Sequence, residues 1–404
     1  MVLRKPVSLP KATCSLLVAL AVVSAVLAAP GVARAGGNQF VTITIPDPQG
    51  YIPSKWLPYS GPPRAAVLLP NNYDKDKRYP LAIFLGGLGN SYAQTAAAMP
   101  PIDLDAIVVI PEPGNGWFTD WWNDGQRGDP AWESYYLDDV IPYVLANYKI
   151  RPERRYHAIV GVSMGGLGAT YLGGRLPGFF GSVATLSGFV DLGWGAPIVA
   201  PGMGLASNAN APNAKNYTLN AVDGPWDGFY YAGHDPTRLT NNLRSTRVFE
   251  TTGNGVPSRS GLTAPTAVPE GSALEATAIY PMNQFYSQAL IASGVDVTYQ
   301  VHSGGHDIPD FVDEIRATLA WGLFKPVATD PGSWVNDTVA THGQLWDIGY
   351  RFAAPPDAVV QFRRSGNSLS ISAAGSAVTI TTSGGCAVTT STPTTIALPN
   401  RTCT

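Results

Sequence analysis

The chain has 404 residues, enough for one large α/β domain and a smaller appendage. Charged residues make up only 14% of it, 26 basic against 29 acidic with no basic cluster, which argues against a nucleic-acid partner. Ten tryptophans spread among 43 glycines and 35 prolines exclude a disordered chain and point to a turn-rich globular one.

Residues 1–35 read as a signal peptide. Arg4, Lys5 and Lys11 make a basic start, Leu16 to Ala29 an apolar run too short to span a bilayer comfortably, and Ala33-Arg34-Ala35 a cleavage site. Its removal leaves 22 basic against 29 acidic residues, a net charge of −7. The expectation is an acidic, secreted protein, extracellular or wall-associated, with no transmembrane anchor. Cys14 leaves with the signal; Cys386 and Cys403 remain and are expected to form one disulfide. No Cys/His cluster has metal-ligand spacing, so neither metal nor cofactor is expected.

In chain order, residues 39–45 alternate and predict a strand, and 64–69 a second one. Residues 81–85 and 106–110 are short apolar runs of the kind buried in a parallel sheet. Each leads into a loop: Gly86-Gly87-Leu88-Gly89-Asn90 after the first, and an aromatic stretch with Trp117, Asp120 and Trp121 after the second. Residues 131–148 carry apolar side chains at helical spacing.

Next comes a β-branched run ending in Gly161-Val162-Ser163-Met164-Gly165, followed by a helix-compatible segment from Leu167 to Arg175. This is G-x-S-x-G in the context that gives it meaning, strand then tight turn then helix. The turn presents a serine hydroxyl to a base and aims the Met164 N–H at a developing oxyanion; its flanking residues must lack a Cβ. Residues 182–186 predict a strand. Residues 188–242 are rich in Gly, Asn, Pro and aromatics, including Trp226, and read as a cap-like insertion. Strands at 246–250 and 295–301 and helices at 274–293 and 311–324 follow.

The alternation predicts a mostly parallel sheet with helices on both faces over residues 36–326, and the elbow within it makes the α/β-hydrolase fold the expected one. From 327 to 404 the composition turns to Ser and Thr with alternating runs, predicting a linker and a small all-β module stapled by Cys386–Cys403.

A nucleophilic serine needs a histidine base, and the histidine an orienting carboxylate, in the chain order Ser, acid, His. His157 precedes the serine, His234 leaves little room for an acid strand, His302 lies within a strand, and His342 falls in the linker. His306, after the last strand and two glycines, is the expected base. Glu250, Glu270 and Glu275 are all placed to be the acid, and the pattern does not separate them.

At this point the chain resembles the esterase D-like branch of the α/β-hydrolases, and within it the mycolyltransferase (antigen 85) family, from about Ala65 to Phe324. Phe84-Leu85-Gly86-Gly87-Leu88 looks like the family's strand and oxyanion loop, Trp117 to Trp121 its aromatic loop, and Gly161 to Met164 its elbow. Asp223-Gly-Pro-Trp226, Asp235-Pro236, Thr246-Arg-Val-Phe and Gly253-Asn254-Gly255 are similar to the stretch before its acid. By this resemblance Glu275 is the acid, His306 the base, and Leu88 and Met164 N–H groups the oxyanion hole. Gly86 and Gly89 stand where the family's trehalose-binding transferases carry Asp and Arg, and Ile308 where they carry Trp. The resemblance therefore implies acyl-ester chemistry without implying trehalose.

The expected protein is a serine ester hydrolase or acyltransferase acting on lipid-like or cell-envelope esters, with water or an alcohol as acceptor. Trp117, Asp120, Trp121 and Trp226 are expected to line its substrate site, and the β module to contact a cell-wall polymer. The rival expectation is a non-catalytic wall- or polymer-binding protein on a hydrolase scaffold.

Overall fold

The computed structural model describes residues 39–210, 220–257 and 269–398. The expected signal segment, Cys403 and the side chain of Glu270 lie outside the described residues. An eight-stranded sheet forms the centre, built from β1 (Phe40–Thr44), β2 (Arg64–Leu68), β3 (Leu81–Leu85), β4 (Ile107–Pro111), β7 (His157–Val162), β8 (Ser182–Leu186), β9 (Arg247–Gly253) and β10 (Asp296–His302). Their order in the sheet is β1-β2-β4-β3-β7-β8-β9-β10. β2 pairs antiparallel with both β1 and β4, and the six strands from β4 to β10 run parallel. A separate ribbon pairs β5 (Asp120–Trp121) with β6 (Gly128–Ala131).

Strands β3, β4 and β8 are buried at every residue, which is why β3 and β4 are continuous apolar runs and β8 carries only the small polar residues Ser182 and Thr185 among its apolar ones. Burying each such Leu, Ile or Val stabilises the fold by about 1.5–3 kcal/mol. One face packs Leu81, Ile83, Ile107, Val109, Ile159 and Val183 against the helix Met164–Arg175 and the aromatic loop. The other packs Ala82, Phe84, Val108, Val160 and Phe249 against the helices Tyr92–Ala98 and Ile308–Trp321.

Three stretches depart from the predicted elements. Residues 188–242 contain a helix, Ala196–Asn210, which the glycines and Pro201 mask in the sequence. Its Val199, Met203 and Ala206 nevertheless fall at i, i+4 and i+7 and are all buried. The predicted helix at 131–148 is three joined pieces, with a widened π-helical turn at Tyr135–Val140 between Trp132–Ser134 and Ile141–Asn147. The predicted helix at 274–293 likewise opens into a π turn at Glu275–Ile279, after Pro269–Leu274 and before Tyr280–Ala292.

The C-terminal region is a sandwich of two four-stranded antiparallel sheets, ordered β11-β14-β15-β18 and β12-β13-β16-β17. These strands are β11 (Ser333–Thr338), β12 (His342–Leu345), β13 (Ile348–Phe352), β14 (Val360–Ser365), β15 (Ser368–Ile371), β16 (Val378–Thr382), β17 (Ala387–Thr390) and β18 (Thr394–Ala397). His342, expected in a linker, opens β12. Cys386 is buried; its expected partner Cys403 lies outside the described residues.

The sandwich is fastened to the α/β domain. Arg175, at the end of the helix Met164–Arg175, donates to the Tyr350 hydroxyl and the His342 carbonyl, each at 2.9 Å. Asn336 donates to the Gly174 carbonyl at 2.9 Å, and Asn242 exchanges two bonds with the Asp337 backbone. Among the described residues no helix is long and apolar enough to cross a membrane.

Candidate active site

Five loops meet at the carboxyl edge of the parallel strands, the place where open α/β sheets position their sites. Ser163 follows β7 with φ 57° and ψ −119°, a strained conformation for a residue with a side chain. Close packing enforces it. A Cβ on Gly161 would lie 1.8 Å from the Gly165 carbonyl oxygen, and one on Gly165 would lie 2.2 Å from the Leu85 carbonyl oxygen. Glycine at those two positions is what lets the elbow close.

His306 hangs from the turn after β10. Its N–H donates to the Gly271 carbonyl at 3.1 Å, and the Phe311 ring meets the imidazole edge-on at 4.9 Å. On either side of it, Gly305 N–H donates to Asp310 Oδ2 at 2.6 Å and Asp307 caps the helix Ile308–Trp321. The imidazole lies between two partners: Nε2 is 2.8 Å from Ser163 Oγ, and Nδ1 is 2.7 Å from Glu275 Oε2. Glu275 stands at the start of the π turn Glu275–Ile279, and such widened turns recur at functional sites. The other carboxylate oxygen, Oε1, accepts from Thr252 Oγ1 at 2.6 Å, at the end of β9, and lies 2.9 Å from Ser187 Oγ, just past β8. Ser163, Glu275 and His306 are all nearly or fully buried.

Glu250, an alternative acid, sits in the middle of β9, fully buried, with no hydrogen-bond partner for either oxygen. Burial pushes its carboxyl far above the usual range, so it is a neutral acid in the sheet. His157 is held by the carbonyls of Phe179 and Arg151. His234 lies buried between Glu133 and Asp223, and His342 pairs with Asp138.

The loop Gly86–Gly89 lies against Ser163: a Cβ on Gly87 would be 3.6 Å from the Ser163 Cβ. Met164 opens the helix that follows the elbow, where a first-turn N–H has no intrahelical acceptor. Among the described residues the Leu88 N–H likewise donates to no backbone carbonyl.

The residues expected to line a substrate site scatter. Trp117 is buried, tilted against Phe189 at 5.4 Å, and donates to Ser207 Oγ at 2.9 Å; Phe189 N–H in turn donates to the Ser163 carbonyl. Trp121 is fully buried, its indole edge-on to Trp56 and donating to the Gly116 carbonyl, a core position. Asp120 accepts from the Ser134 N–H and hydroxyl and faces the seam with the β sandwich rather than the elbow. Burial and the neighbouring Glu133 charge raise its carboxyl to about 6. Trp226 is 47% exposed. Ser187 and Thr252, which hold Glu275, were not singled out in the sequence, since a lone Ser after a strand and a Thr within one carry no local signal. Among the described residues no cluster of His, Cys, Asp or Glu is arranged to hold a metal ion.

Comparison with known proteins agrees with this architecture. The Esterase family model, described as "Putative esterase", matches residues 60–321. Esterase Rv1288 of Mycobacterium tuberculosis is 28% identical over 196 residues, covering 46% of this chain and 42% of that protein. Diacylglycerol acyltransferase/mycolyltransferase Ag85C of Mycobacterium avium is 27% identical over 223 residues, covering 52% of this chain and 58% of that protein. The chain thus spans about half the length of these curated relatives. The crystal structure of Mycobacterium tuberculosis MPT51 (FbpC1) superposes with a TM-score of 0.52 at 19% identity, over 71% of this chain and 99% of that one. The family match covers most of the α/β domain and the superposition shares its fold: the chain belongs to the Esterase family, as an antigen 85-like protein with the α/β-hydrolase fold.

Proposed function

We propose that the protein is a serine-dependent ester hydrolase or acyltransferase working through an acyl-enzyme. The observation that carries this reading is the chain of short contacts from Ser163 Oγ through the His306 ring to Glu275, at 2.8 and 2.7 Å. In the proposed cycle His306 Nε2 takes the hydroxyl proton as Ser163 Oγ bonds to the ester carbonyl carbon. Glu275 orients the ring through Nδ1 and stabilises the imidazolium that forms. The Leu88 and Met164 N–H groups hold the oxyanion; losing one such donor costs on the order of a hundredfold or more in rate. The imidazolium returns its proton to the departing alcohol, and water or a second alcohol then attacks the acyl-enzyme with His306 again as base. Trp117, through Phe189, and Trp226 are the aromatic candidates for contact with the acyl chain.

Two features support an acyl substrate with an acceptor other than trehalose. Relatives named as mycolyltransferases share the scaffold, while Gly86, Gly89 and Ile308 offer neither charge nor a stacking ring to a sugar. The basic, apolar, then Ala-x-Ala order of residues 1–35 supports export, with the substrate at or beyond the cell envelope and the sandwich as a contact to wall material.

Labelling with a fluorophosphonate, followed by a chain-length series of acyl esters with and without glycerol or a sugar, tests the reading. Wild type is expected to be labelled at Ser163, and Ser163→Ala to lose labelling together with about 10⁴-fold or more of its esterase rate. A Ser163→Ala protein as active as wild type would end the proposal.

A further inference from the structure

The hydrogen bonds do not stop at Glu275. Ser187 Oγ lies 2.9 Å from Glu275 Oε1 and 2.8 Å from Glu314 Oε1, so one hydroxyl bridges two buried carboxyl groups. The same Glu314 oxygen is 2.9 Å from His302 Nε2. Glu275 and Glu314 are essentially inaccessible, whereas the His302 side chain is 31% exposed. The contacts therefore form a continuous arm, Ser163, His306, Glu275, Ser187, Glu314, His302, running from the nucleophile to solvent. Its two histidines sit four residues apart on either side of the turn Ser303-Gly304-Gly305, so the turn closes the arm into a ring.

A serine hydroxyl carries one proton and cannot donate to two carboxylates at once. When Glu314 is a carboxylate, it competes with Glu275 for that proton. When Glu314 holds a proton, it donates to Ser187 Oγ, and the Ser187 proton is committed to Glu275. The proton state of Glu314 thus decides how many donors satisfy Glu275 and how strongly Glu275 in turn accepts from His306.

Resting on the proposed triad, we infer that Ser187, Glu314 and His302 are positioning residues that set the grip of Glu275 on the catalytic imidazole. His302 provides the counter-charge that lets Glu314 ionise in a buried site. The arm responds in the neutral range. Burial, with the Glu275 charge adding to it and the His302 bond opposing it, raises Glu314 to about 7. Burial lowers His302, but the Glu314 carboxylate outweighs this and raises it to about 9. From roughly pH 7 to 9 the two are an ion pair and Ser187 is contested; below that window Glu314 is protonated and Ser187 serves Glu275.

Other titratable groups around the arm have their own places. From the helix of Glu314 and the turn before it come Asp310, which accepts from Gly305 N–H, Asp307, the helix cap, and Asp313, paired with Arg316 at the surface. From β9, which packs against that helix, come Glu250, buried with no hydrogen-bond partner, and Arg247, which lies over Trp321.

The test is the second-order rate of fluorophosphonate labelling at Ser163 at pH 6 and pH 8, for wild type, Glu314→Gln and His302→Gln. Wild type should gain more between pH 6 and 8 than one titrating base provides. Glu314→Gln fixes the neutral form, and His302→Gln removes the counter-charge that permits ionisation. Both should cut the pH 8 to pH 6 rate ratio by roughly three- to tenfold, the size of one ordinary hydrogen bond gained or lost. His302 is partly exposed, so its variant keeps the test available if Glu314→Gln does not fold. An unchanged ratio, or a loss equal at both pH values, would make the arm merely structural and overturn the inference. Wild type left unlabelled at every pH would instead remove the triad on which the inference stands.

Discussion

Around Ser163 single atoms decide what the chain can do. The elbow is closed by carbonyl oxygens of neighbouring strands and turns, not by flexible side chains, so nothing there can move aside cheaply. Gly165→Ala places a methyl group 2.2 Å from the Leu85 carbonyl oxygen. The expected outcome is a loss on the order of 3 kcal/mol in urea unfolding, with labelling at Ser163 abolished. A variant of unchanged stability and reactivity would show that the turn can relax. The same scale explains why G-x-S-x-G was readable in the sequence: Gly161 answers a contact within the elbow itself, the Gly165 carbonyl oxygen, and Gly165 the close approach of the neighbouring strand end at Leu85. Glu275 was different. Choosing it over Glu250 needed the resemblance to a family, because what separates them is which carboxyl faces His306 and which faces the closed interior of the sheet.

Among elements, the carboxyl ends of β7, β8, β9 and β10 each contribute one member of the site or its support: Ser163, Ser187, Thr252 and, through the turn after β10, His306. The strands themselves were legible as short β-branched or alternating runs, and the histidine-bearing turn from its two glycines. The π turn at Glu275–Ile279 was not, because an extra residue in one helical turn leaves the apolar spacing on either side nearly intact. Nor was the helix Ala196–Asn210, where Pro201 and two nearby glycines outweigh a modest apolar stripe. Thr252 offers a test of the support given by β9. Thr252→Val keeps the shape and removes the hydroxyl that lies 2.6 Å from Glu275 Oε1. A decrease of about tenfold in kcat/KM, with stability within about 1 kcal/mol of wild type, is expected. Steady-state kinetics beside thermal unfolding would check it, and an unaltered kcat/KM would show that Ser187 alone suffices.

At the scale of the whole fold, buried acids outnumber buried ion pairs among the described residues, and this sets how stability follows pH. Burial raises Glu112 and Asp235 to about 7, and like-charged Asp191 adds to the rise at Asp235. In the unfolded chain such groups release their protons near pH 4, while the fold keeps them bound until about 7, so unfolding gains on folding as pH rises across that interval. His302 acts in the same direction: its contribution is complete below the ordinary imidazole range and is lost as pH rises through about 9. Glu133 opposes them. Burial alone would raise it, but the Arg175 guanidinium holds it at about 2, so its contribution is lost only in strong acid. A melting temperature higher at pH 5 than at pH 8 is expected; calorimetry giving the reverse order would refute this accounting. Arg175 has a second consequence. The helix Met164–Arg175 begins just after Ser163 and is clamped by the β sandwich at its last residue. Its 12 residues span about 18 Å. The appended module is thereby tied to the elbow through a single rigid rod, so the standoff between Ser163 and the sandwich is set by the helix length and does not drift.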